Sequence, residues 1–313
     1  MKTYFAPLEG VTDSVYRRLH HTYFPGMDRY YTPFFSPTVH RALTPKEARE
    51  LPPASALSAQ VVPQILTKNA EDFVWFASEA ATLGYKEVNL NLGCPSGTVV
   101  SKGKGSGMLR DLNALDAFLE DIFQDCPLPI SIKTRLGLET AEEFAPLLAI
   151  FNRYPVCELS LHPRVRTQFY KGEPDITWFR YCYENAAMPV CYNGNLFTKE
   201  DISSITDQFP KCSALMLGRG LIADPGLCTG GTKREVLQAF LAELLDSYIE
   251  VFGSERNAMF RMKENWHMLL WKFEDSEKLG KRLRKTTDAH EFRAITREIF
   301  ETLPMRENVV YDP

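Results

Sequence analysis

Short apolar, β-rich segments recur along the chain, and each closes on polar or glycine-containing residues. They cover residues 3–6, 29–32, 57–62, 87–92, 129–132, 158–161, 189–192 and 214–217. Between them lie stretches with apolar residues at helical spacing. In 70–83, for example, Phe73, Phe76, Ala77 and Ala80 share one face. Residues 112–123, 141–151 and 199–209 read the same way. The last opens on Thr198-Lys199-Glu200-Asp201, an N-cap threonine followed by acids. Eight strands alternating with helices predict a (β/α)8 TIM barrel, whose buried parallel strands read as near-continuous apolar runs. From about Lys233 the strand pattern stops. Helices are predicted over 235–252, closed by Gly253, and over 258–273, 277–286 and 289–303. The chain thus reads as an α/β barrel domain over 1–232 followed by a helical bundle domain over 233–313.

Composition narrows the class. The 313 residues are 44% hydrophobic and 24% charged, which excludes a fibre or a disordered tail. Lys and Arg number 36 against 40 Asp and Glu, a net charge of -4, so any nucleic-acid surface must be a local basic patch. Seven cysteines are scattered without a C-x-x-C pair, which argues against a disulfide framework and against a zinc site. No metal is expected. No apolar run approaches the ~18 residues of a membrane span, and Met1-Lys2-Thr3-Tyr4 leads into no apolar leader core. The expectation is a cytoplasmic monomer with no membrane partner.

Polar residues fall where a barrel carries its chemistry. Gln64, Asn91, Cys94, Lys133, Arg135, His162, Arg164, Asn193 and Arg219 stand at or just past the expected C-terminal ends of strands. Asn193-Gly194-Asn195 and Gly218-Arg219-Gly220 close strands seven and eight, where barrels commonly hold a phosphate. Ordinary tight turns are the alternative. Lys133 could stabilise a developing negative charge, or be a solvated loop lysine. His162 could serve catalysis or be structural. Cys94, flanked by Gly93 and Pro95, could give a proton, since a thiol with the usual pKa near 8.5 is protonated at pH 7. Lys102-Gly103-Lys104-Gly105-Ser106-Gly107 lacks phosphate-loop spacing and reads as a lid or a flexible turn. Lys278, Lys281, Arg282, Arg284 and Lys285 form a basic cluster, either a solvated face or a phosphodiester contact. Trp266, Trp271 and Phe273 have core spacing.

Taken together, Ala6-Pro7-Leu8-Glu9-Gly10, Asn91-Leu92-Gly93-Cys94-Pro95-Ser96, Lys133-Thr134-Arg135-Leu136-Gly137, Leu161-His162-Pro163-Arg164, Asn193-Gly194-Asn195 and Gly218-Arg219-Gly220 resemble the tRNA-dihydrouridine synthases. The resemblance spans the whole barrel in order. It departs from that pattern at Thr67, where a glycine is common nearby, at Asn195, where an acid is common, and after Arg164, where a threonine usually follows. It implies an FMN at the barrel mouth, with NADPH as reductant and tRNA as substrate. Pro7 and Leu8 would touch the flavin ring, Gln64 and Lys133 its polar edge, and His162 would lie beside it. Asn193, Gly194, Asn195, Gly218 and Arg219 would hold its phosphate. Asn91 would orient the uracil, Arg135, Arg164 and Tyr170 would face the RNA, and Cys94 would be the acid. Lys281, Arg282, Arg284 and Lys285 would contact tRNA from the helical domain. Uracil C5=C6 is conjugated to a carbonyl, so hydride can add at C6 while C5 takes a proton.

Two other readings compete. An FMN barrel of the dihydroorotate dehydrogenase kind would act on a free pyrimidine and needs no basic helical tail. A non-catalytic RNA-binding protein on the same barrel would be colourless.

Overall fold

The computed structural model describes residues 1–38, 40–52 and 60–311. Its strands are β1 (Lys2–Phe5), β2 (Arg29–Tyr31), β3 (Val61–Val62), β4 (Gln64–Ile65), β5 (Val88–Leu92), β6 (Ile130–Gly137), β7 (Glu158–Val165), β8 (Val190–Tyr192) and β9 (Ala214–Leu217). They are parallel and hydrogen-bonded in the order β3-β2-β1-β9-β8-β7-β6-β5-β4. The two ends of that order, β3 and β4, are separated in sequence only by Pro63. They are halves of one interrupted strand, so the sheet closes into a barrel and the eight expected strands are all present. Of the expected third strand, residues 57–59 lie outside the described residues.

Donor accounting explains the interruption. Proline has no N–H to give a ladder. The Val62 carbonyl still accepts from Thr32 N–H at 3.1 Å on the β2 side, and the Pro63 carbonyl accepts from Asn89 N–H at 2.8 Å on the β5 side. Gln64 N–H turns to a side chain, donating to Thr32 Oγ1 at 2.9 Å.

Two strands run longer than the apolar pattern predicts. β6 continues to Gly137 and β7 to Val165. Lys133, Arg135, His162 and Arg164 therefore lie inside strands, where they were expected at or just past the ends. Strand parity then decides their direction. Ser131, Lys133 and Arg135 share one face of β6, as Ser160, His162 and Arg164 share one face of β7. Register pairs Asn91 with Lys133, and Arg135 with His162.

The helices are α1 (Ser14–Tyr23), α2 (Pro45–Glu50), α3 (Ala70–Thr82), α4 (Gly97–Val100), α5 (Leu112–Asp125), α6 (Phe144–Phe151), α7 (Ile176–Asn185), α8 (Lys199–Gln208), α9 (Arg219–Ala223), α10 (Arg234–Phe252), α11 (Glu255–Leu269), α12 (Glu277–Lys285) and α13 (Ala289–Thr302). α8 opens as its sequence predicts: Asp201 N–H donates to Thr198 Oγ1 at 3.1 Å and Thr198 N–H to Asp201 Oδ2 at 2.9 Å. α10 ends on Gly253 at φ +60°, a left-handed C-terminal stop.

By internal packing the chain divides into two compact units. The first is Met1–Pro7, Asp28–Asn195 and Ser204–Met216; the second is Leu8–Met27, Leu196–Ser203 and Leu217–Pro313. In the first, Tyr4, Ala6, Tyr31, Val62, Cys191, Ala214 and Met216 form an apolar cluster. An ionic group lies at or just before the starts of its strands. Arg29 meets Glu87 at 2.7 Å and Glu158 at 3.7 Å, and Tyr4 donates to Glu158 at 3.2 Å. That end of a barrel serves stability. In the second unit, Phe240 of α10 takes Tyr16 and Phe24 edge-on at 5.5 and 5.4 Å. Lys272 pairs with Asp224 at 2.5 Å, both fully buried, and its ammonium also reaches the Glu307 carbonyl at 2.7 Å. Such a pair needs further hydrogen bonds to offset desolvation, and here Asp224 also accepts from Thr232. Among the described residues no helix is long and apolar enough to cross a membrane.

Candidate active site

The turn after β5 carries Cys94, and the backbone N–H and carbonyl groups of Gly93 and Cys94 all have partners. Asn91 Oδ1 accepts from the N–H groups of both Gly93 (3.1 Å) and Cys94 (2.9 Å). The Cys94 carbonyl accepts from Ser106 Oγ at 2.8 Å and Ser106 N–H at 3.2 Å. Arg135 Nε donates to the Gly93 carbonyl at 2.9 Å. A β-carbon at Gly105, which sits at φ +57°, would stand 3.0 Å from Cys94 Cβ. The glycine-rich segment expected to be a lid or a flexible turn is thus folded back on the cysteine, through α4 and a 3-10 turn over Gly105–Arg110. Cys94 itself is half-buried and takes part in no disulfide.

Those two backbone donors fix the direction of a whole side-chain ladder. Because Asn91 Oδ1 accepts, Asn91 Nδ2 must donate, and it does so to Gln64 Oε1 at 2.7 Å. Gln64 Nε2 then donates to Asn89 Oδ1 at 2.7 Å, and Asn89 Nδ2 to Ser131 Oγ at 2.8 Å. All four side chains are buried. Gln64 and Asn91, expected to meet flavin and uracil, each spend amide atoms on this ladder.

Lys133 lies on the neighbouring strand. Burial pushes its ammonium down to about 8, helped by the nearby Arg135 charge. The thiols of Cys191 and Cys94 act in the other direction, and none of these groups is a carboxylate.

Arg164, expected to face RNA, is 0% exposed. Its NH1 contacts His162 Nε2 at 2.8 Å, and its NH2 donates to the Gly172 carbonyl and, at 3.1 Å, to Asn195 Oδ1. Asn195 Nδ2 in turn donates to Glu173 at 3.2 Å. Arg135, also expected on the RNA side, is buried, with its guanidinium 5.5 Å from the Tyr170 ring. Tyr170 is exposed, and its ring centroid is 6.1 Å from that of His162. Asn193 donates its amide to the Met216 carbonyl at 2.8 Å, and a β-carbon on Gly194 would collide with the Tyr192 hydroxyl. Pro7 is half-buried at the end of β1.

The remaining candidates belong to the second unit. Leu8 is half-buried, and its N–H donates to Thr12 Oγ1 at 2.8 Å. Gly218 is the N-cap of α9. Arg219 donates to the Tyr311 hydroxyl, with its guanidinium 4.6 Å from the Tyr311 ring and 5.5 Å from that of Phe197. Lys278, Lys281, Arg282, Arg284 and Lys285 are all exposed on α12, and Arg282 pairs with Glu298 at 2.7 Å. Trp266 and Phe273 are buried, as their spacing predicts.

Sequence reasoning missed Asn89, Ser106 and Tyr311. Asn89 stands two residues before Asn91 in a strand, so parity alone would have put both amides on one face. Ser106 and Tyr311 carry no local signal.

The family model described as Dihydrouridine synthase (Dus) matches residues 4–303. The tRNA-dihydrouridine(16) synthase of Neisseria meningitidis serogroup A is 26% identical over 310 residues, 93% of this chain and 92% of that protein. The tRNA-dihydrouridine(16) synthase of Shigella flexneri is 29% identical over 243 residues, 72% of this chain and 74% of that protein. Among solved structures, histamine dehydrogenase from Rhizobium sp. 4-9 superposes with a TM-score of 0.53 at 13% identity, over 72% of this chain and 45% of that one. The old yellow enzyme from Trypanosoma cruzi gives 0.51 at 9% identity, over 72% and 86%. At that identity the structural likeness speaks for the barrel fold alone.

Proposed function

This chain belongs to the dihydrouridine synthase family, and from that premise we propose that it is a tRNA-dihydrouridine synthase. In this reading it holds FMN, takes electrons from NADPH and reduces C5=C6 of a uridine in tRNA. The match runs through both the barrel and the C-terminal helices, and a free pyrimidine would make no use of the latter.

One observation carries the chemistry: a half-buried thiol on a clamped turn beside a desolvated ammonium on the next strand, with no carboxylate paired to it among the described residues. A desolvated cation without a counter-charge suits a bound group that becomes anionic at its polar edge, which is what a flavin does on reduction. The donor set therefore fits the cofactor. Pro7, Gln64, Lys133 and His162 are the candidates for its ring, and Asn193, Gly194 and Asn195 for its phosphate tail. Leu8, Gly218 and Arg219 keep the cofactor-binding role that the resemblance implies.

When bound, the flavin supplies the hydride that adds at uracil C6. The Cys94 thiol gives its proton to C5 and regains one from solvent. Asn91, Ser106 and Arg135 act as positioning residues by fixing the peptide that carries the sulfur. Lys133 stabilises negative charge. His162 adds no charge, because its Nε2 accepts from Arg164. Tyr170 and the basic residues Lys281, Arg282, Arg284 and Lys285 are candidates for contact with tRNA. Taking a uridine out of its stack costs a few kcal/mol, which backbone contacts elsewhere offset.

The test is Cys94→Ala. The variant should stay yellow and be reduced by NADPH, yet form dihydrouridine in tRNA about 10²–10⁴-fold more slowly. Turnover at the wild-type rate would remove the acid role. Absence of dihydrouridine formation by the wild-type protein would remove the reaction.

A further inference from the structure

Phe169 sits where neither burial nor backbone preference favours a phenylalanine. It is 43% exposed. Its φ is +50° and its ψ is -98°, and Lys171 N–H closes the turn on the Gln168 carbonyl at 2.8 Å. This is the geometry of the first central position of a type II′ turn, where glycine is usual because a β-carbon crowds the backbone at positive φ. Among the described residues only Arg41 and Asp275 share a positive φ without being glycine. The loop is well tied. Val165 N–H donates to Gln168 Oε1 at 2.8 Å, Phe169 N–H to the Arg166 carbonyl at 3.1 Å, and Thr167 N–H to the Leu138 carbonyl at 3.1 Å. An ordered, strained turn therefore displays an aromatic ring to solvent. Strain of this kind is retained where function uses it.

Its surroundings carry charges of both signs. The Arg166 guanidinium lies 5.7 Å from the Phe169 ring centroid, and its Nε is buried with no hydrogen-bond partner. Arg166 and Thr167 line a cavity of about 450 Å³ with Arg110, Thr140, Glu139 and Glu143. The Glu143 carboxylate already accepts from the N–H groups of Leu138, Glu139 and Thr140. Lys171 is exposed two residues beyond Phe169. The next residue inward, Tyr170, is the one whose ring approaches His162.

We infer that Phe169 and Arg166 form a second nucleotide subsite. A base of tRNA adjacent to the reduced uridine stacks on the Phe169 ring, and its phosphate lies against Arg166 and Arg110. The inference rests on the tRNA reading given above. An aromatic face accepts any unpaired base, and neighbouring cations take the backbone charge. A uridine withdrawn from its stack leaves a neighbour exposed, and such a platform would recover that contact.

Three variants test it: Phe169→Gly, Phe169→Trp and Arg166→Gln. Thermal melting, flavin absorbance, flavin reduction by NADPH and direct tRNA binding by fluorescence anisotropy are measured on each. Phe169→Gly should keep or raise Tm, because glycine relaxes the turn, and leave the flavin signals unchanged. It should weaken tRNA binding about tenfold, the scale of one stacked base. Phe169→Trp should bind tRNA within about twofold of wild type. Arg166→Gln should flatten the salt dependence of binding by about one phosphate contact. Unchanged tRNA affinity in Phe169→Gly overturns the subsite. So does a fall in Tm or flavin content that accompanies the loss, since that marks a packing role. Loss of self-association at constant tRNA affinity overturns it in favour of a protein contact. Because binding is read directly, the result stands apart from turnover, and a wild-type protein inactive on tRNA would count against the assigned reaction instead.

Discussion

Arg164 and His162 meet at 2.8 Å between NH1 and Nε2. An arginine can only donate, so the imidazole nitrogen facing it must accept, and His162 is held neutral with its proton on Nδ1. The arginine is in turn aimed by Gly172 and Asn195. Second partners of this kind fix a tautomer as firmly as geometry fixes position.

Replacing Arg164 should therefore change a pH profile as well as a rate. In Arg164→Met that donor is gone, so Nε2 can take a proton. An acidic limb should appear in kcat/KM near the ordinary imidazole range of about 6.5. The wild-type profile should lack it. Equal profiles with a uniformly lower rate would mean that the arginine only supports packing.

Asn91→Ala should free the N–H groups of Gly93 and Cys94 and cut the ladder to Gln64. Two part-buried donors deprived of this acceptor should cost about 1–3 kcal/mol of stability. Chemical denaturation measures this. Cys94 should also become more accessible to an alkylating agent, and unchanged alkylation would show that the turn holds without its asparagine.

Lys133 gives a proton-linkage prediction. In the unfolded chain it keeps its proton to about 10.5; in the fold, burial brings release down to about 8. Between those values the unfolded state binds more protons, so this group makes stability rise with pH from about 8 to 10.5 and adds no slope below 8. Lys133→Met should remove that rise and increase Tm at pH 7. Binding of an anionic group beside the ammonium should draw in a proton above pH 8. Calorimetry in buffers of different ionisation enthalpy detects this, and absence of uptake would show that the cofactor's charge lies elsewhere.

Neutralising Lys281, Arg282, Arg284 and Lys285 together should weaken tRNA binding and reduce the salt slope by about one per lost phosphate contact. Arg282 is already paired with Glu298, so Arg282→Gln alone should change the slope least. An unaltered slope in the quadruple variant would return α12 to a plain solvated face.

Hydrophobic periodicity alone determined the barrel, its strand count and the run of helices after Lys233, because burying one face imposes a repeat that is visible residue by residue. Position at expected strand ends singled out Cys94, Lys133 and His162 as candidates. The ends of β6 and β7 were misjudged because charged residues read as strand exits, whereas the strands here continue through Arg135, His162 and Arg164, whose polar atoms find partners in neighbouring segments. Only tertiary structure decided that Asn91 clamps a peptide, that Arg164 is buried against an imidazole, that Pro63 closes the barrel and that Phe169 stands in a glycine's place. The Asn91 and Arg164 contacts join near neighbours in sequence, but Gln64, Gly172 and Asn195 from other segments aim those side chains, and no local pattern encodes that.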